Sequence, residues 1–460
     1  MSESTSYIAS ADPSANKKMG FPTMMAICVG LVIAQGVMIS ALQGIGIGGM
    51  AFIFAMIIAL ILAQFNAMSF AELSLMFPQE GTLATYTQKA IGHFPAIVAV
   101  FAGYVVVAVL ALPVEMFLVD AILGELFPGL LPEKAAPLLI LVLFTITNLI
   151  GTDVFSKVQN LLAFILVSAL IITGATAITS GLQSPQELAG TPVDWSFGGV
   201  LNGSVIGLVG LALWTMVGVE FICPLINSVK DPAKNVPRAM HLSLFMIFTI
   251  FVAFAFGASL LLDVETIMAS PLPFIDYAGA VFGKSGLIIA AVMAVTATCS
   301  TMNTVLAAVP RMLQGMAEQG QVFPQLKAKN KHDAPWVGIL MISVLTTIPF
   351  FIFGIDSLIM LIIAATTSWL LAYCVAHINV IVLRKRLPNH DRPYRTPFFP
   401  IPQVLGIAAM LYVAANNSPA PEMTQMVYTI AGGILLLVSI TAALWVKFYM
   451  KRGLFEPDMS

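Results

Sequence analysis

Charge is what this sequence has least of. Only 10% of its 460 residues are Asp, Glu, Lys or Arg, and 59% are hydrophobic, whereas a soluble domain carries about 25% charged residues. That shortage excludes a soluble enzyme or binding module and points to a helical protein crossing a membrane many times. A net charge of −2 argues against nucleic acid as a partner. Cysteine is also scarce. Cys28, Cys223, Cys299 and Cys374 all fall in apolar runs and form no CxxC pair, as expected of small buried side chains rather than a disulfide or metal framework. The five histidines are scattered without HExxH spacing, so no metal site is expected. The longest polar connections, 180–199 and 318–336, contain no phosphate-binding loop, nucleophile elbow or metal-ligand cluster. These absences argue against an ATP-driven pump, a membrane enzyme and a bound cofactor.

Long apolar runs are what the sequence has instead, and about twenty such residues suffice to cross a bilayer. Twelve spans are expected near 24–48, 50–76, 94–126, 136–151, 158–178, 201–226, 239–262, 287–316, 337–353, 357–383, 401–415 and 426–450. The polar start lacks the pattern of a signal peptide, so residues 1–22 are expected to form a disordered cytoplasmic tail ahead of a retained first span. With both termini on the cytoplasmic side of the cytoplasmic membrane, all but two of the 21 basic residues, Lys134 and Lys284, fall on the inner side, as the positive-inside rule requires.

Two spans are interrupted. The first contains "VIAQGVMISALQGIGIGGM", in which Gly36, Ser40 and Gly44 recur every fourth residue. On an intact helix this is a stripe for close helix packing; on a broken one it frees backbone groups to hold a ligand. The sixth reads "GLALWTMVGVEFICPLINSVKDPAKNVPRA", where Gly218, Glu220 and Pro224 break an apolar run. Pro224 lacks the N–H that a helix interior needs, and a mid-span carboxylate such as Glu220 marks function by default. Interruptions at corresponding places in two halves point to a secondary-transporter site. Residues 23–182 and 183–390 are then expected to be inverted repeats, followed by two spans over 391–450 and a cytoplasmic end at 451–460.

Four stretches carry a family resemblance: "SFAELSLMFPQEGTLATYTQKAIG" after span two, "WTMVGVEFICPLINSVKDPAKNVPRA" in span six, "PRMLQGMAEQGQVFP" after span eight and "LRKRLPNHDRPYRTPFFP" after span ten. In order and together, from about Met24 to Pro400, they make the chain similar to the permeases of the amino acid–polyamine–organocation superfamily. That resemblance implies an all-α, leucine-transporter-like fold of five plus five inverted spans with two extra helices. It also implies a secondary active transporter for an amino acid or related amine, coupled to H+, Na+ or a counter-substrate. In amino-acid members the first break reads Gly-Ser-Gly and receives the substrate carboxylate. Here the matching positions are Ile39, Ser40 and Ala41, of which only the serine survives, with Met38 matched just before them, or alternatively a slipped Gly44-Ile45-Gly46. Trp214 matches an aromatic that caps substrate, the carbonyls of Trp214 and Val217 would accept its ammonium, and Glu220 matches a gating or proton-sensing carboxylate.

Span three adds Tyr104, Ala111 and Glu115, with Tyr104 and Glu115 about 20° off one helical face. Glu115 either pairs with a substrate ammonium or sits near the surface as a solvated acid. Leu166 stands where proton-coupled relatives carry a lysine; Asn303 and Thr304 are either ion-site or packing groups; His377 either titrates or makes a structural hydrogen bond. The missing glycines and the extra carboxylate favour a second reading, an importer or exchanger of a carboxylate-free amine such as ethanolamine or putrescine. A nutrient sensor or a channel is the contrasting class. Partners are the substrate, the lipid bilayer and, where spans eleven and twelve make contacts, a second copy.

Overall fold

A computed structural model describes residues 18–130, 132–184, 187–416 and 421–459; the tail expected over 1–22 lies mostly outside these. The helices run α1 (Phe21–Val32), α2 (Gln35–Gly48), α3 (Met50–Met76), α4 (Leu83–Ala90) and α5 (His93–Val100), which passes through a π-helical segment (Phe101–Val105) into α6 (Val106–Leu126). Next come α7 (Ala135–Ile150), α8 (Thr152–Gln183), α9 (Gly198–Leu201), α10 (Ser204–Trp214) and a 3-10 segment (Val219–Ser228). The second half holds α11 (Pro232–Ser259), α12 (Val264–Ala269), α13 (Pro273–Phe282), α14 (Gly286–Glu318), α15 (Trp336–Ile352), α16 (Leu358–Arg386), α17 (Ile401–Ala415) and α18 (Pro421–Leu444). Among the described residues there is no strand, only an isolated bridge between Met19 and Val229. Among the described residues, eight helical stretches are long and apolar enough to cross a membrane, and the bent pair α1–α2 makes a ninth; α7, α15 and α17 are shorter apolar helices.

The burial pattern is that of a protein dissolved in lipid. On α8 the buried stripe includes Gln159 and Thr173, while Leu161, Phe164, Ile171 and Ile172 are exposed, Phe164 by 71%. A helix surrounded by hydrocarbon gains nothing by hiding its leucines, so its inward face is free to carry the polar groups that tie helices together. Gln159 does this: its Nε2 donates to Ser300 Oγ at 2.7 Å and its Oε1 accepts from Asn303 Nδ2 at 3.0 Å. Asn303 also accepts from Asn148 Nδ2 at 3.1 Å, which joins α7, α8 and α14. His377 is fully buried between Ser69 Oγ at 2.9 Å and Asn66 Oδ1 at 2.7 Å, so both of its ring nitrogens are held within the helix packing.

The first interruption is not where the glycines place it. It falls at Ile33–Ala34, where α1 and α2 meet at 62°. Ile39, Ser40 and Ala41 lie inside α2, and so do Gly44, Ile45 and Gly46. The glycines serve packing and turning instead. A Cβ on Gly44 would collide with the Phe52 ring, and Gly49 turns the chain from α2 into α3 at φ +47°, close against the Asp194 carbonyl.

The second interruption is where the sequence marks it. Helix α10 ends at Trp214, Gly218 takes φ +119°, and the chain resumes as the 3-10 segment containing Pro224. A Cβ at Gly218 would stand 3.2 Å from Leu31 and 3.5 Å from Val32, so glycine lets the two interruptions touch.

Candidate functional site

The two interruptions share one small cavity of about 60 Å³. Ala34, Gly36 and Val37 come to it from the first, Trp214, Val217 and Phe221 from the second. Helix α6 supplies Ala111 and Glu115, α14 supplies Thr301, and α16 supplies Ile362 and Trp369.

Glu115 organises this cavity. Pro113 stands inside α6 two residues before it, and the Glu115 side chain is buried rather than solvated. Its Oε1 accepts the backbone N–H of Gly36 at 3.2 Å, and its Oε2 accepts the N–H of Gln35 at 3.2 Å and the hydroxyl of Thr298 at 3.0 Å. Gln35 Nε2 donates in turn to Thr298 Oγ1 at 2.7 Å. The first amides of a helix have no partners within it, and the helix dipole favours negative charge there. A carboxylate from another span therefore caps α2.

Aromatic rings form the opposite wall. Trp214 and Trp369 meet edge to face at 6.1 Å between centroids, and Phe221 and Trp369 at 5.8 Å. Trp369 Nε1 donates to Glu220 Oε1 at 3.1 Å, so the span-six carboxylate holds a cavity tryptophan in place from behind. Trp214 Nε1 is buried with no partner among the described residues. The Gly218 N–H goes to the Tyr373 hydroxyl at 3.2 Å, so α10 does not continue through a bond from Gly218 to the Trp214 carbonyl.

Of the residues expected from sequence, Ala111, Glu115, Trp214 and Val217 line the cavity together. Tyr104 is buried one layer out, its ring 5.3 Å from Phe221. Met38 and Ala41 are fully buried in α2, and Ser40 Oγ donates back to the Gly36 carbonyl at 2.8 Å; neither they nor Ile39 borders the cavity. Leu166 is fully buried on α8.

Sequence reasoning marked Gly36 as a small residue of the first interruption but passed over Gln35, Thr298, Phe221 and Trp369. Gln35 is a polar residue in an apolar run just before a glycine, which was a readable signal. Thr298 and Trp369 carried none.

The stretches quoted above also meet in space. Arg384 is bidentate to Glu72 at 2.8 and 2.6 Å, and the Thr396 N–H reaches the same carboxylate at 2.8 Å. Gly315 packs on the backbone of Gly81. Charge-assisted contacts of this kind join the segment after span two to the one after span ten.

A family model described as amino acid permease matches residues 19–440. The chain is 24% identical to the serine/threonine exchanger SteT of Bacillus subtilis, over 96% of the chain and 98% of that protein. It is 25% identical to the gamma-aminobutyric acid permease of Escherichia coli, over 93% of the chain and 94% of that protein. It is also 25% identical to a probable GABA permease of Pseudomonas aeruginosa, over 85% and 84%. With a family match running from the bridge residue Met19 into α18, the chain belongs to the amino acid permease family of the amino acid–polyamine–organocation superfamily, and it is a membrane transporter rather than an enzyme.

Proposed function

We propose that this protein carries a small amino-bearing compound, an amino acid or a related amine, by alternating access around the cavity between the interrupted spans. The observation that carries this reading is the meeting of the two breaks: Gly218 against Leu31 and Val32, beside a cavity walled by both. Unwound backbone at membrane depth is tolerated where it is buried in protein or lines a cavity, and a site between two such segments opens to one side when one half rocks against the other. The substrate ammonium rests among the Trp214 carbonyl, the aromatic wall and the Glu115 carboxylate, while Glu220 sets Trp369 as the gate.

Counting the bent pair as one span and including the three short apolar helices gives twelve crossings. They are arranged as two repeats over 23–182 and 183–390 with two further spans over 391–450. Both termini lie on the cytoplasmic side of the cytoplasmic membrane, supported by the distribution of Lys and Arg. With Leu166 at the span-five position, no lysine is available there for proton coupling; H+, Na+ or a counter-substrate drives transport through other groups. Uptake and exchange of radiolabelled amino acids and amines into proteoliposomes tests the proposal. A folded protein that carries none of them sinks it.

A further inference from the structure

We propose that Glu115 is a built-in stand-in for a substrate carboxylate, so that the site selects organic ammonium compounds that lack an α-carboxylate. This rests on the transporter reading above and names the substrate class for that same cavity.

The amino end of α2 faces the cavity, and such a terminus is a ready-made place for one anion. Here the place is taken. Both oxygens of Glu115 are engaged, Oε1 by Gly36 N–H at 3.2 Å and Oε2 by Gln35 N–H at 3.2 Å and Thr298 Oγ1 at 3.0 Å. A zwitterionic amino acid has two ways in. Its carboxylate either displaces Glu115, leaving a buried charge without its donors, or lies beside Glu115, setting two like charges together in a medium of low dielectric. Both oppose binding. Among the described residues no Arg, Lys or His lines the cavity to neutralise a second carboxylate.

For a cation the cavity is well furnished. The rings of Trp214, Phe221 and Trp369 offer π faces, and desolvated aromatic walls attract ammonium groups. The carboxylate rim of Glu115 and the Trp214 carbonyl add acceptors. Trp214 Nε1, buried without a partner among the described residues, suits a hydroxyl or another neutral acceptor on the same ligand. The cavity volume of about 60 Å³ favours a small occupant, such as a short amine or an amino alcohol.

Paired competitors test this in proteoliposomes holding the full-length protein: ethanolamine against serine, isobutylamine against valine, putrescine against ornithine. For the wild-type protein, the decarboxylated member of the best pair is expected to compete about tenfold better or more. If intact amino acids compete as well or better, the inference is overturned while the transporter reading stands. If neither member of any pair is carried, the transporter reading itself fails. Glu115→Ala frees the Gln35 and Gly36 amides for a carboxylate from the substrate, so the preference is expected to move toward the intact amino acid by about tenfold. A folded Glu115→Ala protein that keeps the wild-type preference also overturns the inference. If that variant does not fold, the wild-type competition decides alone.

Discussion

Glu115 on α6 accepts the backbone N–H of Gly36 on α2 at 3.2 Å, so the start of a half-helix is fixed by a residue 79 positions away in the chain. The bend between α1 and α2 follows from that tertiary cap. Removing the carboxylate leaves the Gln35 and Gly36 amides buried without acceptors, and an orphaned buried donor costs about 1–3 kcal/mol. Glu115→Ala is therefore expected to lower thermal stability in detergent. Glu115→Gln, which keeps one acceptor oxygen, is expected to fall between it and wild type. Equal unfolding temperatures for all three would show that α2 needs no cap.

Gly218 holds φ +119° with Leu31 at 3.2 Å from where a Cβ would stand. Gly218→Val combines backbone strain of about 1–3 kcal/mol with a collision against the end of α1. Uptake is expected to fall strongly and stability to drop. Gly207→Ala, on α10 with nothing near the added methyl, is the matched control and is expected to behave as wild type. Parallel uptake and unfolding curves on the two variants check this, and a Gly218→Val protein with normal uptake contradicts it.

The contrast between the two interruptions shows what a sequence reveals. Gly218 and Pro224 break the helix pattern by their own chemistry, so the second break could be read directly. At Ile33–Ala34 there is neither glycine nor proline; the break depends on Glu115, whose link to Gln35 and Gly36 appears only on folding. The glycines that drew attention to the wrong place, Gly44 and Gly49, answer to Phe52 and Asp194. The all-helical membrane class was legible from composition, because lipid rather than a core decides which residues face outward. Trp369 and Thr298 were not, since a tryptophan or threonine in an apolar span looks the same whether it faces lipid, packing or a cavity.

Glu72 and Arg384 form a buried bidentate pair with 2.6 and 2.8 Å contacts. Arg392 Nε lies 3.3 Å from the same carboxylate, so losing Glu72 strands two cations and costs about 3–5 kcal/mol, whereas losing Arg384 leaves Glu72 one partner. Glu72→Ala is expected to destabilise strongly, Arg384→Ala less, and the double variant by less than their sum. A double-mutant cycle on unfolding free energies reads this; additive losses would mean that the two charges do not act as a pair.

Asp263 accepts from the Thr266 N–H at 2.7 Å and the Gly190 N–H at 2.9 Å, and Glu265 accepts from Thr191 Oγ1 at 2.6 Å and its N–H at 2.8 Å. These hydrogen bonds, to Thr266 and Thr191 first, hold both carboxyls below their ordinary values and clasp the loop before α9 to the start of α12. A depressed folded-state value gives stability that is full above the ordinary carboxylate range and is lost as pH falls through the lowered values, that is, below about pH 4. Unfolding temperature is expected to decline over that range in wild type and to decline less in Asp263→Asn/Glu265→Gln. Identical acid limbs for the two proteins would remove the clasp from the account.

The central claim is that substrate passes through the cavity between the two interruptions. Uptake of radiolabelled amines and amino acids by reconstituted wild type and Ala111→Trp, side by side, tests it most directly, since Ala111 lines the cavity and a tryptophan there fills it. The expected result is saturable uptake of at least one compound by wild type and none by a folded Ala111→Trp protein. Unchanged uptake by that folded variant would contradict it.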